Sequence, residues 1–354
     1  MKKLIFLFMA FLLVFSSCKK DQPEPILTGQ VTGKVVSMNE TTPISMAMVF
    51  VDVDGEIYMT FTKNDGTFIL DAPSGTHDLY VESGQGKIFR TVLSVDIPEN
   101  GEINSLPTLK LQQVSNLAYI AGTFDNIETI VSNLGYTATQ ITISDLDNLN
   151  TLQNYSAIFL NCESPIVMDA GKYANLKSFV EGGGSLYVSD YAIDYISGFV
   201  DSISTVRTGM TCTVNSNILD VELQSYVGAT QFDIVYNLDE WSQIIYLDPK
   251  WETLVQSNVT MEPLATRLYT NSSGSKEMLE QDWVTICHIP PGNPSNVHTI
   301  TISVNALPAH LAHGDNIGAC TGNGGTIYYT TFHNEIGGTS SEIQKILEYF
   351  ILNL

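Results

Sequence analysis

The chain has 354 residues, enough for two or three domains, and 44% of them are apolar, which allows sizeable cores. Charged residues make up only 15%, against the composition of a disordered polymer. Sixteen Lys and Arg stand against 38 Asp and Glu, a formal charge of −22, so sequence-independent binding to nucleic-acid phosphates is excluded and an exported, self-repelling surface is favoured.

Residues 1–18 read as a targeting segment. Lys2 and Lys3 precede an apolar run from Leu4 to Phe15, shorter than the about 20 residues a membrane-spanning helix needs, and Ser16 and Ser17 lead into Cys18. This resembles a bacterial lipoprotein signal, with Phe15 where the usual pattern has Leu. The resemblance implies acylation of Cys18 and anchoring to the cell envelope, at the outer membrane, with lipid as the membrane contact. An ordinary signal peptide with an incidental cysteine is the alternative. Residues 19–25 (KKDQPEP) form a tether, since their charge and two prolines disfavour helix and strand.

Residues 26–112 show short alternating strands between turn signals. Ala47, Val49, Val51 and Val53 alternate with Met48, Phe50 and Asp52, and Phe68 and Leu70 alternate after a second turn. Asp54-Gly55 and Asp65-Gly66 are hairpin-type turns, and Asp52, Asp54 and Asp65 read as solvated turn carboxylates rather than a calcium loop. An all-β sandwich follows. The landmarks Gly33-x-Val35, Pro43 with Ala47, Thr62-x-x-Asp65-Gly66-x-Phe68 and Pro73-x-Gly75 resemble a carboxypeptidase-regulatory-like, or prealbumin-like, domain. Such a domain implies an accessory module and little chemistry.

From residue 117 to 354 the texture changes to alternating strand and helix. Strands are predicted at 117–121, 137–143, 155–161 and 185–190; helices follow Asp125, which suits a cap, and span 170–180, the stretch from Tyr191 towards Ile203, and 341–354. Such alternation predicts a parallel sheet with functional groups at the strands' carboxyl ends, around Asn161, Asp190 and the residues after Tyr329. The expected fold is therefore multidomain: an N-terminal all-β sandwich and a C-terminal α/β, flavodoxin-like domain.

The strand Gly183-Gly184-x-Leu186-Tyr187-Val188-Ser189-Asp190 and the closing Tyr329-Thr330-Thr331-Phe332-His333-Asn334-Glu335 resemble the class I glutamine amidotransferase-like fold. That family implies a cysteine on the turn after the first of these strands, and His and Glu in an F-H-P-E motif. Here Asn334 replaces Pro, and Val188-Ser189-Asp190-Tyr191 offers no thiol, so amidotransfer through a cysteine thioester is not expected. A serine-type set of Ser189, His333 and Glu335, with amides near Asn161 as oxyanion donors, is the enzymatic alternative. Cys162 follows the third strand, in the oxyanion-loop region, and pairing of Cys162 with Cys212 stays open.

Residues 284–320 read as an insert, carrying His288, His298, His310 and His313 between Cys287 and Cys320. It resembles a CHIPPGNP…AHLAHGD…C module of exported bacterial proteins, a resemblance that implies no activity. A Cys287–Cys320 disulfide, worth about 3–4 kcal/mol in the chain-entropy estimate, suits an oxidising compartment. A zinc site on the four histidines is the competing reading, helped by the His310-x-x-His313 spacing, and plain hydrogen-bonded loop histidines are the third. The favoured function is a non-catalytic, accessory or ligand-binding envelope lipoprotein whose α/β cleft takes a small-molecule, glycan or protein ligand. Hydrolysis of an amide or ester, or metal capture by the insert, are the alternatives.

Overall fold

The computed structural model describes residues 27–83, 88–99, 101–270, 283–288, 298–303, 306, 310, 316–317, 324–334 and 340–354. The first domain contains β1 (Thr28–Val36), β2 (Met48–Val53), β3 (Glu56–Phe61), β4 (Thr67–Pro73), β5 (Gly75–Ser83), β6 (Phe89–Ile97), β7 (Ile103–Ser105) and β8 (Leu109–Lys110). One sheet runs β4-β1-β7 with β8 also on β1, and the other runs β3-β2-β5-β6. Their inner faces share one core, Val31, Val35, Phe68 and Leu70 from the first sheet meeting Val49, Val51, Leu79 and Val81 from the second. The alternation read from the sequence thus reports the buried face directly. Asp54 and Gly55 both have positive φ (54° and 87°), the geometry a two-residue hairpin between β2 and β3 requires.

The second domain is built on a nine-stranded sheet. Its parallel half comes from β9 (Leu117–Ile120), β10 (Ala138–Ile141), β11 (Ala157–Leu160) and β12 (Ser185–Ser189), linked by α1 (Ile127–Asn133), α2 (Leu149–Leu152) and α3 (Ala170–Glu181). After β12 the chain does not form the helix expected from Tyr191 towards Ile203. It makes a 3-10 turn over Asp190–Tyr195, then β13 (Ile203–Gly209), β14 (Cys212–Ile218), α4 (Val221–Val227), β15 (Gln231–Tyr236), β16 (Trp241–Leu247), β17 (Trp251–Ser257) and β18 (Pro263–Tyr269). Bulky apolar groups at Tyr191, Ile193 and Tyr195 are buried on several sides of that turn, which a one-faced surface helix cannot accommodate.

The insert contributes β19 (Trp283–His288), β20 (His298–Ser303) and β21 (Asn316–Ile317), a separate three-stranded sheet ordered β20-β19-β21. Its Ile286 and Ile302 are buried and pack with Met59 of the sandwich. The chain then returns through β22 (Thr326–Thr330) into the middle of the large sheet and ends with α5 (Ser341–Leu352). The full order is β10-β9-β11-β12-β22-β18-β17-β14-β15, with β22 parallel to β12 and antiparallel to β18. The α/β architecture is therefore a parallel half continued by an antiparallel half, the mixed kind of sheet that covering helices permit.

The two domains share one hydrophobic core. The Phe89 and Tyr136 rings lie 4.5 Å apart, and the Tyr136 hydroxyl donates to the Leu111 carbonyl. Asn39 donates to the Asn133 carbonyl at the end of α1, and Ser83 to that of Leu352. Gly135 is required at this seam twice over: its φ is +83°, and a Cβ there would meet the Asn39 nitrogen at 2.7 Å. Among the described residues no helix is long and apolar enough to cross a membrane. Cys18 and the rest of the targeting segment lie outside the described residues.

Candidate functional site

The carboxyl ends of β9, β11, β12 and β22 converge on one spot, as a parallel sheet dictates. β11 delivers Asn161 and Cys162, β12 delivers Ser189 and Asp190, and β22 leads through Thr331 and Phe332 to His333. The thiol of Cys162, a carboxylate oxygen of Asp190 and a ring nitrogen of His333 all lie within 4.8 Å of one another. All three residues are buried.

Asp190, rather than Ser189, is the residue at the sharp turn after β12. Its φ is +45°, a left-handed conformation that a non-glycine residue adopts at a cost and that clusters at functional sites. The turn is held because Asp190 Oδ1 accepts from the Ser242 backbone amide at 2.7 Å, while Oδ2 accepts from the Cys162 thiol at 3.7 Å. Ser189 is the last residue of the strand and has no exposed surface. Its hydroxyl donates to Asp125 at 2.5 Å, with the Leu160 carbonyl at 3.5 Å on its other side. The Ser189 hydroxyl, paired with His333 in the sequence-based expectation, is hydrogen-bonded to Asp125 here, one residue before the positive-φ turn. The Asn161 amide is likewise engaged, donating to the Ile120 carbonyl. Glu335 lies outside the described residues.

Asp125 also departs from expectation. Asn126 holds the cap position of α1, and Asp125 instead turns inward to accept from Ser189 and from the Asn334 backbone amide at 3.0 Å. That contact explains Asn at position 334. Proline has no N–H to give Asp125, and the Asn334 side chain additionally donates to Asn126. The β9 loop is seated on Cys162 by Gly122, where a Cβ would stand 2.2 Å from the Cys162 carbonyl oxygen, and by the Phe124 amide, which donates to that oxygen.

Burial sets the ionisation of the site. It pushes the Cys162 thiol far above the usual range, with the negative charge of Asp190 adding to the effect. It raises Asp190 to about 6 against the hydrogen bonds from Ser242, and lowers His333 to about 4. His333 Nδ1 is buried with no hydrogen-bond partner among the described residues. The centre thus holds a protonated thiol and a neutral imidazole, the reverse of an activated thiolate–imidazolium pair.

A cavity of about 270 Å³ adjoins this centre, lined by Asp190 and His333 together with Tyr236, Trp241, Phe332 and Ile343. Tyr236 and Trp241 stack at 3.8 Å, and the Trp241 indole donates to the Met210 carbonyl, which fixes the aromatic wall. This wall was not anticipated from the sequence, because β15 and β16 come from a region for which no elements are predicted.

In the insert, the His288 and His310 rings stand 5.4 Å apart, and His298 pairs with His288 in the β19–β20 register. His313, Cys320 and the Cys287 side chain lie outside the described residues, as does the proposed Cys287–Cys320 bridge. Cys162 and Cys212 are both free thiols, the first buried and the second exposed, so they do not pair.

No protein-family model matches the chain, and no curated protein matches it. Several solved structures are similar. A GMP synthase component from Thermoplasma acidophilum is 12% identical, with a TM-score of 0.39 over 68% of this chain and 94% of that one. A ThuA-like protein of Bacteroides uniformis is 11% identical, with a TM-score of 0.33 over 44% of this chain and 79% of its own. A glutamine amidotransferase of Thermotoga maritima is 12% identical, with a TM-score of 0.30 over 44% and 72%. Amidotransferase-like folds are thus among those the chain resembles, and at such scores the likeness carries nothing about activity.

Proposed function

We propose that this chain is a cell-envelope lipoprotein, anchored through Cys18, whose α/β domain is an amidotransferase-like scaffold used to bind a small ligand rather than to form a thioester. The observation that carries the reading is the elbow itself: the strained residue facing the cavity is a carboxylic acid, Asp190. The thiol of Cys162 has no exposed surface and donates its hydrogen bond to that acid. A thioester requires a thiolate with open access to a carbonyl, and both conditions are unmet. The cavity suits a small molecule or a single sugar with a flat apolar face against Trp241 and Phe332 and a polar edge turned to Asp190 and His333. The prealbumin-like sandwich, packed into the same core, serves as a rigid accessory module.

Incubation with glutamine tests the reading. The purified chain is expected to release no ammonia above a protein-free blank, and Cys162→Ser to behave identically. Ammonia release that disappears in Cys162→Ser would overturn it.

A further inference from the structure

We propose that Cys162, Asp190 and His333 form a binding site for a thiophilic divalent cation of the zinc class, with one coordination position open to the cavity. The inference deepens the binding reading of this cleft and rests on it. The three donors are a thiol, a carboxylate and an imidazole, the ligand types zinc takes, brought from three different strands to within 4.8 Å. Bonds of about 2.0–2.3 Å to a tetrahedral ion set donor atoms roughly 3.3–3.8 Å apart. The Cys162–Asp190 pair already stands at 3.7 Å.

Two independent features point the same way. His333 Nδ1 is buried with no hydrogen-bond partner among the described residues, although a buried polar nitrogen ordinarily has one. A second buried carboxyl, Asp125, is hydrogen-bonded to Ser189, the neighbour of Asp190, so a further acidic group lies beside the three donors. Second contacts are in place as well: the Ser242 amide fixes Asp190 through its other oxygen, as outer partners of ligating carboxylates do. Three protein ligands with a cavity at the fourth position is the arrangement of an open zinc site, where water or the polar edge of a ligand completes the shell. On binding, the thiol proton leaves to solvent and the sulfur coordinates as thiolate.

Cobalt(II) titration of the chelator-treated full chain tests this, read by thiolate-to-cobalt charge-transfer absorption and by metal analysis after desalting. A background with His288→Ala, His298→Ala, His310→Ala, His313→Ala, Cys287→Ser and Cys320→Ser keeps the insert from contributing. One equivalent is expected to bind in that background with the charge-transfer band. The band should vanish with Cys162→Ser, and affinity should fall at least tenfold with Asp190→Asn or His333→Gln, so the prediction survives if one variant fails to fold. No bound cobalt, or a band that persists in Cys162→Ser, overturns the inference. Absence of cobalt binding leaves the ligand-binding reading standing, whereas cysteine-dependent glutaminase activity would remove that reading instead.

Discussion

Arg267→Ala is expected to destabilise the protein by about 3–5 kcal/mol, seen as a lower urea midpoint with an unchanged slope. The guanidinium is only 5% exposed and joins three elements. From β18 it reaches Asp220 at 3.1 Å, at the start of α4, and Glu252 on β17 at 2.6 Å, and its other face lies over the Tyr269 ring. Asp220 is 7% exposed and also caps α4 by accepting from the Leu223 amide. Removing the arginine leaves that carboxylate buried without its counter-ion, which costs far more than the pair itself contributes. Arg267→Met keeps the packing of the stem but strands the same charge, so it should lose most of this stability too. Adding Asp220→Asn to Arg267→Met should recover part of it, because the amide still caps the helix and carries no charge.

Asp125→Asn is expected to stabilise the protein at alkaline pH and to leave it nearly unchanged near pH 4. Burial raises this carboxyl from an ordinary value of 3.8 to about 7, against the hydrogen bonds from Ser189, Asn334 and Asn126 that pull it down. The folded state therefore holds a proton that the unfolded chain releases. Stability from this group is complete below about pH 4 and is lost as pH rises to about 7 and beyond. The gap corresponds to roughly 4 kcal/mol as an upper bound. Asparagine accepts from the Asn334 amide and donates to Ser189, so it replaces the protonated acid without the titration. Chemical denaturation of both proteins between pH 4 and 8 measures the difference, in which contributions from other groups cancel. A difference that does not grow with pH would mean that Asp125 is already ionised in the folded state.

The places where chemistry collects were legible because strand ends are written in the sequence. Apolar runs ending at Asn161, Asp190 and the residues after Tyr329 mark three edges of one parallel sheet, and those edges do meet. Which residue occupies the turn was not legible. A one-residue difference in where β12 ends decides whether Ser189 or Asp190 faces the cavity, and the left-handed φ of Asp190 leaves no mark on composition. The meeting of Cys162 with His333 joins positions far apart in sequence, so it follows from topology and from no local pattern. The antiparallel half of the sheet does carry a local signal: Phe232, Ile234 and Tyr236 alternate with exposed neighbours along β15, the period of a half-buried strand. The helix expected after Tyr191 is absent because Tyr191, Ile193 and Tyr195 are all buried and leave no polar face for one.

Thiol mapping of the native, metal-free protein shows whether a carboxyl fills the reactive corner with the sulfur sealed behind it. After exposure to iodoacetamide and digestion, mass spectrometry should find Cys212, which is exposed, alkylated and Cys162 unmodified until the protein is unfolded. Alkylation of Cys162 in the folded chain at a rate matching or exceeding that of Cys212 would contradict the account and return the cleft to cysteine chemistry.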